Sequence, residues 1–378
     1  MQTFAQIYTE RRGTGNLFLH QGDAAQRMTK QGRPRKATIL DVAKAVGVHA
    51  STVSRALNPQ TQHMVAEAVA ERIAAASRRL GYTADVFASG LRTRRSNTVG
   101  VLIPDIMNPV FPPILRGIED ALATAGCTAI IANAEGEPQR HGTILDRLLG
   151  RRVDGLILAT AQRRDQVVER CLAEGVPVVL INRTVAGKRP ISAVVNDDEG
   201  GIKLAVDHLV ALGHRHIAHI AGPQALSTGH ARRGGFLAAL KAADPALIVE
   251  ASAYSEAAGD AAMTKLLAGK VPFTAVVAAN DLLALGCYDA LARAGLQCPR
   301  DVSVTGFNDM PFVDRFAPPL TTVRIQHYEM GRRAGDVLME HLRRRDTASV
   351  TIRLEPSLVV RGSTAPPGSA TGGRIKGR

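Results

Sequence analysis

From Thr98 onward the chain alternates short, β-branched apolar runs with amphipathic segments, a pattern that few folds accept. The runs TVGVLI, TAIIA, GLILA, VPVVLI, SAVV, IAHIA, TAVVA and VSVT are apolar throughout rather than at every second residue. Strands read that way when both faces of their sheet are covered. Helical segments over residues 111–125, 197–212, 232–242 and 281–294 separate most of the runs. A βαβ alternation of this kind predicts parallel sheets with helices on both faces, and its length predicts two such lobes. Residues 318–323 read as a crossover back between the lobes, 328–345 as a long helix and 351–360 as a last pair of strands.

Ahead of this body lies a different pattern. In TILDVAKAVGVHASTVSRAL, Val42, Val46, Val48, Val53 and Ala56 fall at the inward positions of a helix-turn-helix. Ala43 leaves room where two helices cross, and Gly47 stands at the turn, where a positive φ costs least without a Cβ. Thr38 followed by Asp41 resembles a capping box. A third amphipathic segment over residues 66–80 offers Val69, Ile73, Ala76 and Leu80 to close the core, with Gly81 as its stop. An αα-hairpin inside a larger helical domain would fit the same apolar positions, so the surrounding charge matters.

That charge is unevenly placed. Of the net +13, residues 1–96 hold 15 Lys and Arg against 6 Asp and Glu, and residues 361–378 hold 4 basic residues and no acid. The remaining 28 basic and 28 acidic residues cancel across the middle. A basic head on a neutral body suits a polyanion, because Lys and Arg near phosphates release condensed counterions.

The pattern disfavours other classes. No GxSxG, P-loop or Gly-rich dinucleotide fingerprint opens a βα unit. His208, His214, His216 and His219 cluster without grouped carboxylates or thiols, so no metal, cofactor or catalytic residue is assigned and no enzyme is expected. Cys127, Cys171, Cys287 and Cys298 are scattered and read as reduced thiols. No apolar run is long enough to span a bilayer and no export signal is read, so a cytoplasmic location without membrane contact is expected. Residues 1–36 read as a flexible basic arm; a translation start at Met28 is the other reading.

DVAKAVGV, STVSRALN, RRLGY, TVGVLIPDIMNPVF, VDGLIL, VPVVLINR, LGHRHIAHIAGP, AANDLLALG and PPLTTV together resemble the lactose-repressor (LacI/GalR) family over residues 37–361. The resemblance implies a helix-turn-helix headpiece at 37–83, a hinge helix and linker at 84–96, and a two-lobed effector-binding and dimerisation domain at 97–361. That domain would be α/β with parallel sheets, like periplasmic sugar-binding proteins. Residues 362–378 are read as a disordered basic tail. Implied partners are a pseudo-palindromic double-stranded operator, a second copy of the chain in a homodimer or tetramer, and a small polar effector, a sugar or sugar acid. The implied function is that of a transcriptional regulator, a repressor, whose operator affinity the effector modulates. A sugar-binding receptor would share the lobes but lack residues 37–96.

By position, Ala50, Ser51 and Arg55 would face base edges in the major groove, with Arg55 able to fork onto a guanine. Thr52 and Ser54 would meet phosphate, and Thr38 joins this DNA-binding set. Leu91 matches the hinge leucine that wedges between base steps in the minor groove, and Ala88 would pack on its symmetry mate. Four positions depart from the family pattern: Ala84 replaces a proline, Gly90 flanks the wedge, and His49 and Ala66 stand where serines cap helices. For the effector cleft, Phe111, Arg232, Tyr254 and Asp281 match lining positions, joined by Asn182, Asn196, Thr228 and Asn308. Ile325 stands where the family has a glutamine, so the effector's identity is left open.

Overall fold

The computed structural model describes residues 37–58, 61–82, 95–134, 138–187, 190–344 and 347–368, and the chain divides into two compact units between residues 89 and 90. The first unit holds α1 (Ile39–Val46), α2 (Ala50–Ala56) and α3 (Glu67–Leu80). Thr38 caps α1: its backbone N–H and hydroxyl donate to Asp41 Oδ2 at 2.8 and 2.7 Å, and its Oγ1 accepts from the Asp41 N–H at 3.4 Å. Gly47 ends the helix with φ 72°, donating to the Ala43 carbonyl. Val42, Ala43, Val46, Val53 and Ala56 meet Ala70, Ile73 and Ala76 in a small core. Leu80, assigned to that face by its spacing, is 38% exposed; Ala70 and Ser77 are buried instead. Arg72 donates to the Val46 carbonyl at 2.9 Å, satisfying a group that the helix end leaves open.

The second unit is the expected pair of parallel-sheet lobes. In the first lobe β1 (Thr98–Ile103), β2 (Thr128–Asn133), β3 (Gly155–Leu158), β4 (Val178–Ile181), β5 (Ser192–Asn196) and β11 (Thr351–Leu354) lie in the order β11-β5-β4-β3-β1-β2, every pair parallel. The second lobe orders β12 (Ser357–Val359), β10 (Thr321–Arg324), β9 (Ser303–Asn308), β8 (Ala275–Ala278), β6 (Ile217–Ala221) and β7 (Ile248–Glu250) in that sequence. Only the β10–β12 pair there is antiparallel. All residues of β3, β4, β5, β6, β8 and β9 are buried, which is why their sequences are apolar without alternation.

Helices cover both sheets. In the first lobe α4 (Phe111–Thr124) and α11 (His327–Arg343) pack backbone to backbone, since a Cβ at Gly331 would stand 2.0 Å from the Ile114 carbonyl oxygen. In the second, α7 (Asp198–Ala211) lies against α8 (Ser227–Ala239), and α9 (Glu256–Leu267) against α10 (Asp281–Arg293). The first lobe also carries α5 (Pro138–Gly150) and α6 (Gln166–Ala173).

The chain crosses between lobes after β5, after β10 and after β11. Residues 321–323 are therefore not part of a crossover. Thr321, Thr322 and Val323 are buried in β10, paired with Thr305, Gly306 and Phe307, and the crossing comes at Ile325 and Gln326. Two prolines just before the strand hide its β-branched run.

The tail also departs from expectation. Residues 362–368 are fixed rather than disordered: the Ser363 carbonyl accepts from the Val304 N–H at 2.9 Å, and its hydroxyl bridges the Thr321 N–H and the Val304 carbonyl. His208 Nε2 meets Thr364 Oγ1 at 2.9 Å, and His214 Nε2 donates to the Ala365 carbonyl at 2.9 Å. Composition predicts how a segment behaves alone, whereas this one fills hydrogen-bond positions beside β9 and β10. Residues 369–378 lie outside the described residues.

Candidate functional site

In the helical unit, α2 turns Val53 and Ala56 inward and leaves Ser51 and Arg55, one turn apart, fully on the outside. Ala50, Thr52 and Ser54 are half-buried beside them. His49 takes over the capping role that a serine would fill: its Nδ1 accepts from the Ser51 N–H at 3.3 Å and lies 2.8 Å from Ser51 Oγ. This requires the tautomer with its proton on Nε2. Ala66 precedes α3 with no side-chain cap at all. Thr38 spends its hydroxyl on Asp41 in the capping box. Ala84, Ala88, Gly90 and Leu91 lie outside the described residues.

The proposed cleft residues gather at the carboxyl ends of the parallel strands, where open α/β sheets bind ligands. Asn182 and Asn196 follow β4 and end β5; Asn308 ends β9; Thr228, Arg232 and Asp281 sit on α8 and α10 just beyond β6 and β8. The lobes touch here, with the Thr184 N–H donating to Ser227 Oγ at 2.9 Å and the Arg163 N–H to the Ala225 carbonyl at 2.9 Å.

Arg232 is the centre of the second lobe's half. Its guanidinium donates to Asp198 Oδ1 from Nε and Nη2 at 2.8 Å and to the Ala279 carbonyl from Nη1 at 2.7 Å. It stacks over Phe307 at 3.7 Å from the ring centroid and lies 5.9 Å from that of Tyr254. Tyr254 in turn donates to Thr228 Oγ1 at 3.1 Å. Burial pushes the Asp198 carboxyl up against the opposing pull of Arg232.

Asp281 is sealed from solvent, accepting from Thr322 Oγ1 at 2.5 Å and from the Met310 N–H at 2.8 Å. Burial raises its pKa to about 7, outweighing those two bonds. Phe111 is 2% exposed within the core cluster, and Asn308 holds φ 112° beside Arg232 Nη2. The structure thus brings Thr228, Arg232, Tyr254 and Asn308 together and seats Asp281 one layer below, against β10.

Three neighbours escaped the sequence reading: Arg183, Asp198 and Phe307. Arg183 follows Asn182, is half-buried, and has an Nε with no partner. Burial lowers its pKa to about 10, opposed by the Tyr254 phenol and assisted by Arg232. Only the closing NR of VPVVLINR pointed to it. Of the grouped histidines, His219 bonds the Val277 carbonyl and stacks on Phe236 at 4.6 Å. No group of three metal-ligating side chains occurs among the described residues. Two open cavities lie elsewhere: about 610 Å³ between α4 and α11, and about 880 Å³ by Arg152, Ser192 and His341, at the amino ends of the first sheet.

Residues 38–85 match the model of the bacterial regulatory proteins of the lacI family, and residues 206–364 that of the periplasmic binding protein-like domain. The HTH-type transcriptional repressor CytR of Escherichia coli K12 is 32% identical over 334 residues, 87% of this chain and 96% of its own. The lac repressor dimer bound to operator and the anti-inducer ONPF superposes with a TM-score of 0.78 at 28% identity, covering 88% of this chain and all of that one. A complex of the transcriptional regulator CelR with cellobiose gives 0.68 at 31% identity, over 86% and 99% of the two chains.

Proposed function

Since this chain belongs to the lacI family of bacterial regulatory proteins, we propose that it represses transcription from a pseudo-palindromic operator as a homodimer, with residues 37–83 reading DNA and 97–361 sensing a sugar or sugar acid. It is a DNA-binding regulator rather than a catalyst, as its relatives are repressors, and it acts in the cytoplasm. Ser51 and Arg55 on the open face of α2 carry the assignment: the opposite face packs into the apolar core, and the Arg55 guanidinium makes no ion pair among the described residues. In this role Arg55 forks onto a guanine, Ala50 and Ser51 touch base edges, and Thr38, Thr52 and Ser54 meet phosphates. Residues 84–96 form the hinge and linker, with Ala88 at its two-fold contact and Leu91 as its minor-groove wedge.

The effector lies between the lobes against Asn182, Asn196, Thr228, Arg232, Tyr254 and Asn308, with Phe111 and Asp281 in the layer behind them. A ligand that favours one lobe closure over another shifts the dimer between DNA-competent and incompetent forms by no more than its difference in affinity for them, typically about 1–3 kcal/mol. The similarity to a cellobiose-bound regulator supports a carbohydrate in this place. Footprinting on the promoter beside the protein's own gene tests the proposal. Protection of a two-fold symmetric site of two half-sites is expected; protection without symmetry, or none on any genomic fragment, would reject it.

A further inference from the structure

Resting on the effector-sensing assignment above, we infer that the effector carries an oxyanion, a carboxylate or phosphate on a compact polyol, and that Arg183 is its counter-ion. Arg183 stands at the seam of the lobes, beside the Thr184–Ser227 hydrogen bond that joins them. Its Nε is buried without a partner, and no ion pair forms on it among the described residues. Three other charged groups of the cleft are already met. Arg232 is neutralised by Asp198, and Asp309 by Arg324 and Arg361. Asp281 is enclosed by Thr322 and Met310. Arg183 is left as an unanswered cation next to a second arginine.

A guanidinium partly withdrawn from water without an anion is unfavourable, and it cannot shed its charge as a carboxylate or histidine does. A sugar hydroxyl offered to it would supply a lone pair and leave the charge. A carboxylate or phosphate would supply both, through paired N–H donors. The surroundings also fit the rest of such a molecule. Asn196 is 3% exposed with both amide atoms unpartnered, and Asn182 Oδ1 is likewise unpartnered on the adjoining strand end. Together they offer one NH2 group with two donors and two carbonyl oxygens as acceptors, the complement of vicinal hydroxyls.

The test is thermal unfolding of the full chain with D-gluconate, D-ribose 5-phosphate and inorganic phosphate against D-glucose, D-ribose and cellobiose. At least one organic oxyanion should raise the melting temperature where its neutral parent does not, gluconate marking a carboxylate site and ribose 5-phosphate a phosphate site. Arg183→Met should weaken that response by about tenfold or more, and Arg183→Lys should retain part of it. Without ligand, Arg183→Met should melt no lower than the wild type, since it removes an unpaired cation, and this separates loss of binding from loss of fold. A neutral sugar stabilising as strongly as its acid, no response to any of the oxyanions, or an undiminished response in Arg183→Met would overturn the inference. Gel shifts on the same preparation keep the two claims apart. Release of operator by a neutral sugar removes the anion site and leaves the regulator, whereas absence of DNA binding removes the regulator whatever the ligand data show.

Discussion

Replacing Asp281 by asparagine should stabilise the protein, and increasingly so as pH rises. The carboxyl is 0% exposed, and its folded pKa of about 7 lies above the ordinary 3.8. Folding therefore favours the protonated form. Stability from this group is fully present below the unfolded pKa and is lost as pH climbs toward the folded one. The slope is about 1.4 kcal/mol per pH unit, so the interval from about pH 5 to pH 7 removes on the order of 3 kcal/mol. Asparagine keeps the shape without the penalty: its Oδ1 accepts from Met310 N, and its amide donates to the Thr322 hydroxyl, which can turn to accept. Urea unfolding of both proteins at about pH 5, 6, 7 and 8 reads the effect as a difference that grows with pH and levels off above 7. A difference independent of pH, or a variant less stable at about pH 8, would show that Asp281 is ionised in the fold and refute the reasoning.

Three further outcomes follow from the geometry. Arg55→Ala should cost about 1–3 kcal/mol of discrimination between operator and a scrambled duplex while leaving weak general binding, as read by competition gel shift. Ala66→Ser should raise the stability of the helical unit by about 1 kcal/mol in thermal melts, because α3 begins without a side-chain cap. Ending the chain after Arg361 should lower the melting temperature of the lobed unit, whereas ending it after Gly368 should not, since the bonds of Ser363, Thr364 and Ala365 lie between the two cuts. Equal melting of the two truncations would contradict the tail's structural role.

Much of this architecture is written locally. Val42, Val53 and Ile73 reach the core because helical periodicity alone decides which way they point, and the buried strands betray themselves by uninterrupted apolar runs. What sequence hides is set by partners far along the chain. Thr321 to Arg324 became a strand through pairing with β9, and the three-residue β7 is too short to show a pattern. Ser363 is ordered by Val304 and Thr321, which composition cannot show. Family-matched positions such as Arg232 and Asn308 come together at the strand ends, which their spacing along the chain does not show. The pairing of Arg232 with Asp198 and the lack of a partner for Arg183 belong to three-dimensional charge balance, which residue types in a row do not display. His49 shows the converse, since an unexpected residue performs the usual capping task with a ring nitrogen in place of a hydroxyl.

The most direct test of the DNA-reading assignment is the affinity of the full chain for its own promoter and for a scrambled duplex, measured across a series of salt concentrations. Each phosphate neutralised contributes about −0.9 to the slope of log affinity against log salt, so paired basic heads should give a slope steeper than about −3 on both duplexes. The promoter should also bind more tightly than the scrambled duplex at every salt concentration. A flat salt response, or equal affinity for the two duplexes, would contradict a regulator that reads sequence through α2.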